Sequence, residues 1–338
     1  MNIGILGAGS WGIALSALLQ RRGHTVRMWE FSAADAHMLL TKREHPKKLP
    51  GIIIPPEVMI TSNVGDVITA SEIIVCVVPT QTTRQTMKTI ASSVNASAID
   101  AVQGWVIASK GIECETLCLI TDILMQELPG IKSDRLVVLS GPSHAEEVSR
   151  DIPTAVVAAS ENFNLATRVQ NEFSTESFRI YTNSDVVGVQ LSGGVKNVIA
   201  IAAGICDGLG FGDNTKGAIL TRGMVEMVRL GRRMGAQEQT FSGLAGIGDL
   251  ITTCMSRHSR NRKVGEMIGK GMNLSEALGQ MVMVAEGVET TKSVNSLAEK
   301  NSIEMPITEE VYKTLFEGKD AKLAARDLMT RQSKPERW

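Results

Sequence analysis

The sequence predicts an α/β fold: an N-terminal Rossmann-type, mostly parallel sheet followed by an all-helical C-terminal domain. Three observations carry that expectation. The apolar run Asn2–Leu6 leads directly into Gly7-Ala8-Gly9-Ser10-Trp11-Gly12 and then into a helical periodicity through Ile13, Leu15, Leu18 and Leu19. Strand-like runs then alternate with helical spacers as far as Tyr181. Beyond Tyr181 only helical periodicities follow, beginning with the stretch Val186–Cys206, whose sole charge is Lys196.

After the glycine turn and its helix comes a second strand, Thr25–Trp29, closing on Glu30. Residues 42–56, with His45-Pro46, Pro50-Gly51 and Pro55-Pro56, read as a surface loop. Further strands are expected at Glu72–Val78, Val106–Ser109, Leu136–Leu139, Thr154–Ala159 and Phe178–Tyr181. The change of pattern near 182–188 divides the chain into a dinucleotide-binding domain, 1–184, and a helical substrate-binding domain, 185–338. A length of 338 residues suits two domains.

Composition excludes several classes. A net charge of −1 leaves no bulk attraction to nucleic acid or to an anionic membrane, so an anionic ligand must be held by local groups. Only Cys114 and Cys118 of the five cysteines lie close together, and no second pair or nearby histidine completes a zinc site; no metal is expected. The opening MNIGILGAGS has no basic region or cleavage pattern, which with the unpaired cysteines gives the reducing cytoplasm as the expected compartment. Ser192, Gly193 and Gly194 interrupt the apolar run at 186–206, which is read as a buried helix and not as a membrane span.

The glycine turn carries the first piece of chemistry. Gly7 permits the tight turn, Gly9 lets backbone approach a pyrophosphate, and Gly12 allows close helix packing. The helix that follows offers amide donors and a positive dipole end to that pyrophosphate. Glu30, at the end of the second strand, can accept hydrogen bonds from the adenosine ribose and would repel a 2′-phosphate; a solvated surface glutamate is the alternative. Phe31 follows, where a basic residue could have stood. Both are assigned to the adenosine end of NAD, with NADP as the second possibility.

Lys196 carries the second. A buried ammonium must find partners or give up its proton, and such lysines serve as acids or bases. Asn197 brings an amide to the same neighbourhood, and Gly193, three residues earlier, leaves the face beneath the lysine open to close approach. Candidate company is Lys110 at a strand end, the cluster Ser140–Glu146 with His144, and Asp249 between glycines and an apolar run. Asp249 is either a helix cap or a buried carboxylate that pairs with Lys196. The basic run Arg257–Lys263 lacks interleaved aromatics and fits a phosphate pocket better than a nucleic-acid face.

With these residues in view, the chain closely resembles the bacterial NAD(P)-dependent glycerol-3-phosphate dehydrogenases. The motifs GAGSWG, SKGIE, LSGPSHAEE, GGVKNVIAIAAGICDGLGFGDN, TFSGLAGIGDLITTC, SRNR and VAEGVET follow in order over almost the whole length. One departure is Gly194, where the family usually has Ala or Thr; it should loosen the helix locally and leave the chemistry intact. The resemblance implies reversible reduction of dihydroxyacetone phosphate to sn-glycerol 3-phosphate, feeding phospholipid synthesis, by a homodimer. It implies Lys196 as the proton donor or acceptor, Lys110 at both substrate and cofactor, and Asp249 as partner of Lys196. Asn197 and Thr253 then stand near the reacting end, Gly141 and Ser143 touch substrate, and Ser259, Arg260 and Asn261 grip its phosphate. Ser10, Trp11, Ala145, Arg260, Val284 and Glu286 contact the dinucleotide. Two rivals are a β-hydroxyacid dehydrogenase, which should carry a carboxylate clamp in place of SRNR, and a non-catalytic dinucleotide sensor, which should have lost Lys196, Lys110 or Asp249.

Overall fold

A computed structural model describes residues 1–336; the last two residues of the expected 185–338 domain lie outside the described residues. Eight strands form one sheet: β1 (Asn2–Leu6), β2 (Thr25–Trp29), β3 (Met59–Thr61), β4 (Ile73–Cys76), β5 (Gly104–Ile107), β6 (Leu136–Ser140), β7 (Thr154–Ala159) and β8 (Phe178–Asn183). Their spatial order is β3-β2-β1-β4-β5-β6-β7-β8. All neighbours are parallel except β6 and β7, which meet antiparallel, Ser140 opposite Val157 and Val138 opposite Ala159. The strand order turns between β1 and β4, and the crevice above that point is where open α/β sheets take their ligands.

The short, fully buried strands read as near-continuous apolar runs because helices cover both faces of the sheet. Two expectations need correction. Strand β3, only three residues long, was too short to leave a periodic signal. The 42–56 segment has no regular structure beyond its first residue, as expected, but it is not a purely surface loop: Leu49 and Ile54 are buried in the core beneath it. Its prolines marked the loop, whereas two isolated apolar residues show no period.

After β8 the chain turns into the helix Val186–Gly208, buried over almost its whole length. Asp185 starts it: one carboxylate oxygen accepts from the Gly188 amide at 2.8 Å. The other accepts from the Gln237 amide and the Thr240 hydroxyl, at 2.8 and 2.6 Å. The cap thus also ties the helix to the following ones. This helix is long and apolar enough for a membrane span by composition, but 89% of its most apolar window is covered by protein. Around it pack helices Asp213–Arg233, Asp249–Met255, Arg260–Gly269, Glu286–Lys300 and Pro306–Phe316. The two halves share apolar core, since Val189 packs with β4–β6 while Ile112 and Leu119 pack with the long helix.

Candidate active site

The turn after β1 has the form that a pyrophosphate needs. Gly7 has φ +113°, a conformation that L side chains rarely adopt. A Cβ at Gly12 would collide with the Gly7 carbonyl, whereas one at Gly9 would meet nothing within 4 Å. Closely packed backbone thus lies behind an open concavity facing the helix start at Ser10. These residues fit a bound dinucleotide. Trp11 is half-buried with its ring against Phe178, centroids 6.3 Å apart.

At the end of β2, Glu30 is buried and accepts from the Ser32 amide at 3.2 Å. Lys48 Nζ lies 3.6 Å from its carboxylate, a partner that sequence reasoning missed because the 42–56 loop gave no hint of where it folds. Phe31 is 82% exposed and stands edge-on to Trp29.

The catalytic candidates meet where β5, β6 and the helical half come together. Lys110 follows β5, and its loop is held from below: Gln81 donates to the Ile112 carbonyl at 2.9 Å and Ser293 donates to the same oxygen at 2.8 Å. Arg84 grips Glu113 through both carboxylate oxygens at 2.7–3.0 Å. Gly193 is the face over which the lysine passes; a Cβ there would stand 2.9 Å from the Ser140 hydroxyl and 3.4 Å from Lys110 Cγ. The open face beneath Lys196 is therefore filled by Lys110. A Cβ at Gly194 would meet Gly111 at 3.5 Å, ordinary contact, so the position has room for a small side chain.

Asp249 joins the two amines. Its Oδ1 lies 3.0 Å from Lys196 Nζ and its Oδ2 lies 2.8 Å from Lys110 Nζ. Lys196 also donates to Thr253 Oγ1 at 2.6 Å, and that hydroxyl donates to Asp249 Oδ1 at 3.2 Å. Lys110 further donates to the Gly141 carbonyl at 2.8 Å and lies 3.5 Å from Ser143 Oγ. A π-helical turn, Leu244–Gly248, precedes Asp249, which is the first residue of its helix and does not cap it. The alternative of a plain helix cap is thereby set aside.

Burial pushes the Lys196 ammonium down to about 8, with Asp249 opposing that shift and Lys110 adding to it. Burial alone would raise the Asp249 carboxyl, but Lys110 and Lys196 together hold it below the usual carboxylate range. One anion between two cations leaves the cluster with a positive charge to offer a developing oxyanion.

His144, by residue type a candidate proton donor, stands at the N-cap position of its short helix and is half-buried. Its side chain caps nothing, its Nε2 is buried without a partner, and its ring packs on His258 at 5.9 Å. Burial, then the charge of Lys196, lower its pKa and keep it neutral.

The remaining expected residues form a rim. Gly141 has φ +134°, and Ala145 is buried at the start of the short helix Ala145–Val148. Ser259 caps Arg260–Gly269 by accepting from the Arg262 amide at 3.2 Å. Arg260 donates to the Val284 carbonyl at 2.8 Å, and Asn261 accepts from the Gly287 amide at 2.9 Å. Glu286 accepts from the Thr80 amide at 3.2 Å, bridging the helical half to the end of β4. Asn197 makes only a long contact, 3.5 Å, to the Lys110 carbonyl. Among the described residues no three His, Cys, Asp or Glu side chains are grouped to hold a metal.

A dinucleotide turn facing two amines joined by one carboxylate, across a crevice between a doubly wound sheet and a helical half, defines a nicotinamide-dependent dehydrogenase. Comparison with known proteins narrows the class. Residues 2–166 match the profile of the NAD-dependent glycerol-3-phosphate dehydrogenase N-terminus and residues 185–326 that of its C-terminus. The chain belongs to the NAD-dependent glycerol-3-phosphate dehydrogenase family. It is 48% identical to the glycerol-3-phosphate dehydrogenase [NAD(P)+] of Chlorobium luteolum, with all of both chains covered. It is likewise 48% identical to that of Geobacter sulfurreducens, covering 100% of this chain and 99% of that one. The crystal structure of glycerol-3-phosphate dehydrogenase from Coxiella burnetii superposes with a TM-score of 0.92 at 34% identity, covering 98% and 99% of the two chains.

Proposed function

We propose that Lys196 is the general acid and base in the interconversion of sn-glycerol 3-phosphate and dihydroxyacetone phosphate, the NAD(P)-linked reaction of this family. The observation that supports this reading is the Lys196–Asp249–Lys110 bridge at the ligand end of the sheet. When bound, the dinucleotide supplies or accepts the hydride. For reduction, protonated Lys196 donates to the ketone oxygen as negative charge gathers there, and Lys110 adds positive charge at the same place. Asp249 compensates both amines and, with Thr253, fixes the direction of the Lys196 Nζ proton. Arg260 and Asn261 hold the phosphate, with Ser259 shaping their helix start, so the ketone is kept in line for transfer. Gly141, Ser143 and Asn197 border the reacting end. Gly7, Gly9, Ser10, Trp11, Gly12, Ala145, Val284 and Glu286 border the dinucleotide, and Glu30 and Phe31 its adenosine end.

Glu30 favours NAD over NADP, while Lys48 beside it tempers the repulsion of a 2′-phosphate. In this reading residues 1–184 bind the dinucleotide and 185–338 the substrate. The protein works as a cytoplasmic homodimer without nucleic-acid or membrane-inserted partners, and its glycerol 3-phosphate supplies phospholipid synthesis.

The test is a spectrophotometric assay of dihydroxyacetone phosphate reduction with NADH and NADPH. Lys196→Met is expected to lower kcat by about 10²–10⁴-fold, with NADH still binding, and native kcat/KM should be higher with NADH. Near-full turnover in the variant would end the assignment of Lys196. A clear NADPH preference would end the reading of Glu30.

A further inference from the structure

A large cleft lies on another side of the helical half, and Lys196, Lys110, Asp249 and Arg260 are not among its lining residues. It encloses about 860 Å³, within the roughly 300–1,000 Å³ of small-molecule sites. Its floor is apolar, formed by Ala202, Ile205 and Leu209 at the C-terminal end of the long helix, Ile219 of Asp213–Arg233, and Ile307 and Val311 of Pro306–Phe316. Helix Ala321–Met329 and, beyond it, Arg331, Gln332, Lys334, Pro335 and Glu336 form its mouth, where Met329 is 84% exposed.

The charge at this mouth is lopsided. Six basic and three acidic side chains line the cleft. Two of the acids are already engaged: Glu226 accepts from the Ile307 and Thr308 amides, at 2.6 and 3.1 Å, and Glu310 pairs with Lys319 at 2.5 Å. Three of the cations converge on one carboxylate outside the lining, that of Glu304. Arg331 bonds to it directly, Lys334 lies at 3.1 Å and Arg229 at 3.9 Å. One anion balances one of these three, so the mouth of an apolar trough keeps surplus positive charge.

We propose that this cleft binds a single-chain amphiphile with an anionic headgroup, the alkyl chain lying along the floor and the headgroup taken by Arg229, Arg331 and Lys334. A fatty carboxylate and an alkyl phosphate monoester share that chemistry. The bound chain would rest against Ala202 and Ile205, on the helix that carries Lys196.

The experiment is isothermal titration of the full chain with dodecyl phosphate and with dodecanoate, each below its micelle-forming concentration. Saturable one-to-one binding is expected for at least one, and the tighter of the two names the headgroup. Shortening the chain by two methylenes should weaken binding about tenfold. Ala218→Trp, an exposed position on the cleft wall, should weaken it at least tenfold without changing turnover in the absence of amphiphile. The triple variant Arg229→Gln, Arg331→Gln, Lys334→Gln should lose the preference for decyl phosphate over decanol. The proposal fails if neither amphiphile saturates, if Ala218→Trp binds as tightly as the native chain, or if decanol matches decyl phosphate. It also fails if sedimentation shows a dimer that Ala218→Trp dissociates while the native dimer binds no amphiphile, because a second copy then fills the cleft.

Discussion

Lys196 sits at a balance that a solvated lysine cannot reach. Burial favours its neutral form, Asp249 favours the charged one, and Lys110 reaches the same carboxylate from the other side. Because its pKa is depressed to about 8, the ammonium form falls away as pH rises through that value. In the proposed mechanism reduction of the ketone uses the ammonium, so its kcat/KM should decline above about pH 8; oxidation of glycerol 3-phosphate would use the free amine and should rise over the same range. Paired pH profiles in the two directions check this, and parallel profiles would remove Lys196 from the proton step. The sign for stability is separate. A base whose folded pKa lies below its unfolded value of 10.5 costs stability fully below pH 8 and regains it as pH climbs from about 8 to 10.5.

The helix Val186–Gly208 and the helix Arg260–Gly269 touch backbone to backbone. Gly204 and Gly208 on one, and Gly265 and Gly269 on the other, lie so close to the opposing chain that a Cβ at any of them would overlap it; at Gly204 the obstacle is the Arg262 carbonyl, at Gly265 the Ile201 carbonyl. This contact sets how far the Arg260–Asn261 end stands from Lys196, and so, under the proposed roles, the span between phosphate and ketone. Gly265→Val should lower stability by about 1–3 kcal/mol through overpacking, visible in thermal unfolding. The same variant should raise KM for dihydroxyacetone phosphate more than the Kd for NADH, since the dinucleotide turn is on the other side of the crevice. An unchanged substrate KM would show that the spacing is not set here. Nothing in the sequence marks this contact, because Gly265 and Gly269 lie just beyond the basic run 257–263 and a glycine inside a helix does not say which helix it meets.

Across the whole molecule the apolar core ignores the division at 184. Val189 and Ala245 pack under β4–β6, and Ile112 packs with the long helix. Unfolding should therefore be one calorimetric transition, shifted upward by NADH; two transitions, only one of them moved by NADH, would show two independent units. The same interpenetration explains what could be read from residues alone. The glycine turn and Glu30 are local, and their roles follow from a few neighbouring positions. Lys196 announces itself as the one charge in the apolar stretch Val186–Cys206. Its pairing with an aspartate and a lysine that lie far away in the chain is a product of topology; only the rarity of buried charges, together with family resemblance, pointed to it. Lys48 on Glu30, the His144 ring against His258 and the cationic mouth beside Glu304 gave no periodic or motif signal, because loops and helix ends bring them together.

The reversal at β7 has a geometric outcome. Since β7 and β8 run against β1–β6, the chain leaves β8 at the rim remote from the ligand crevice, and the long helix starts there and climbs back. Lys196 is ten residues into that climb, about 15 Å at 1.5 Å per residue, which matches the roughly 16 Å that a five-residue strand such as β6 spans. The helix is thus a measuring rod cut to the height of the sheet along its strands. One residue more or fewer before the lysine would swing its amine by about 100°, away from Asp249 and towards the surrounding oily wall.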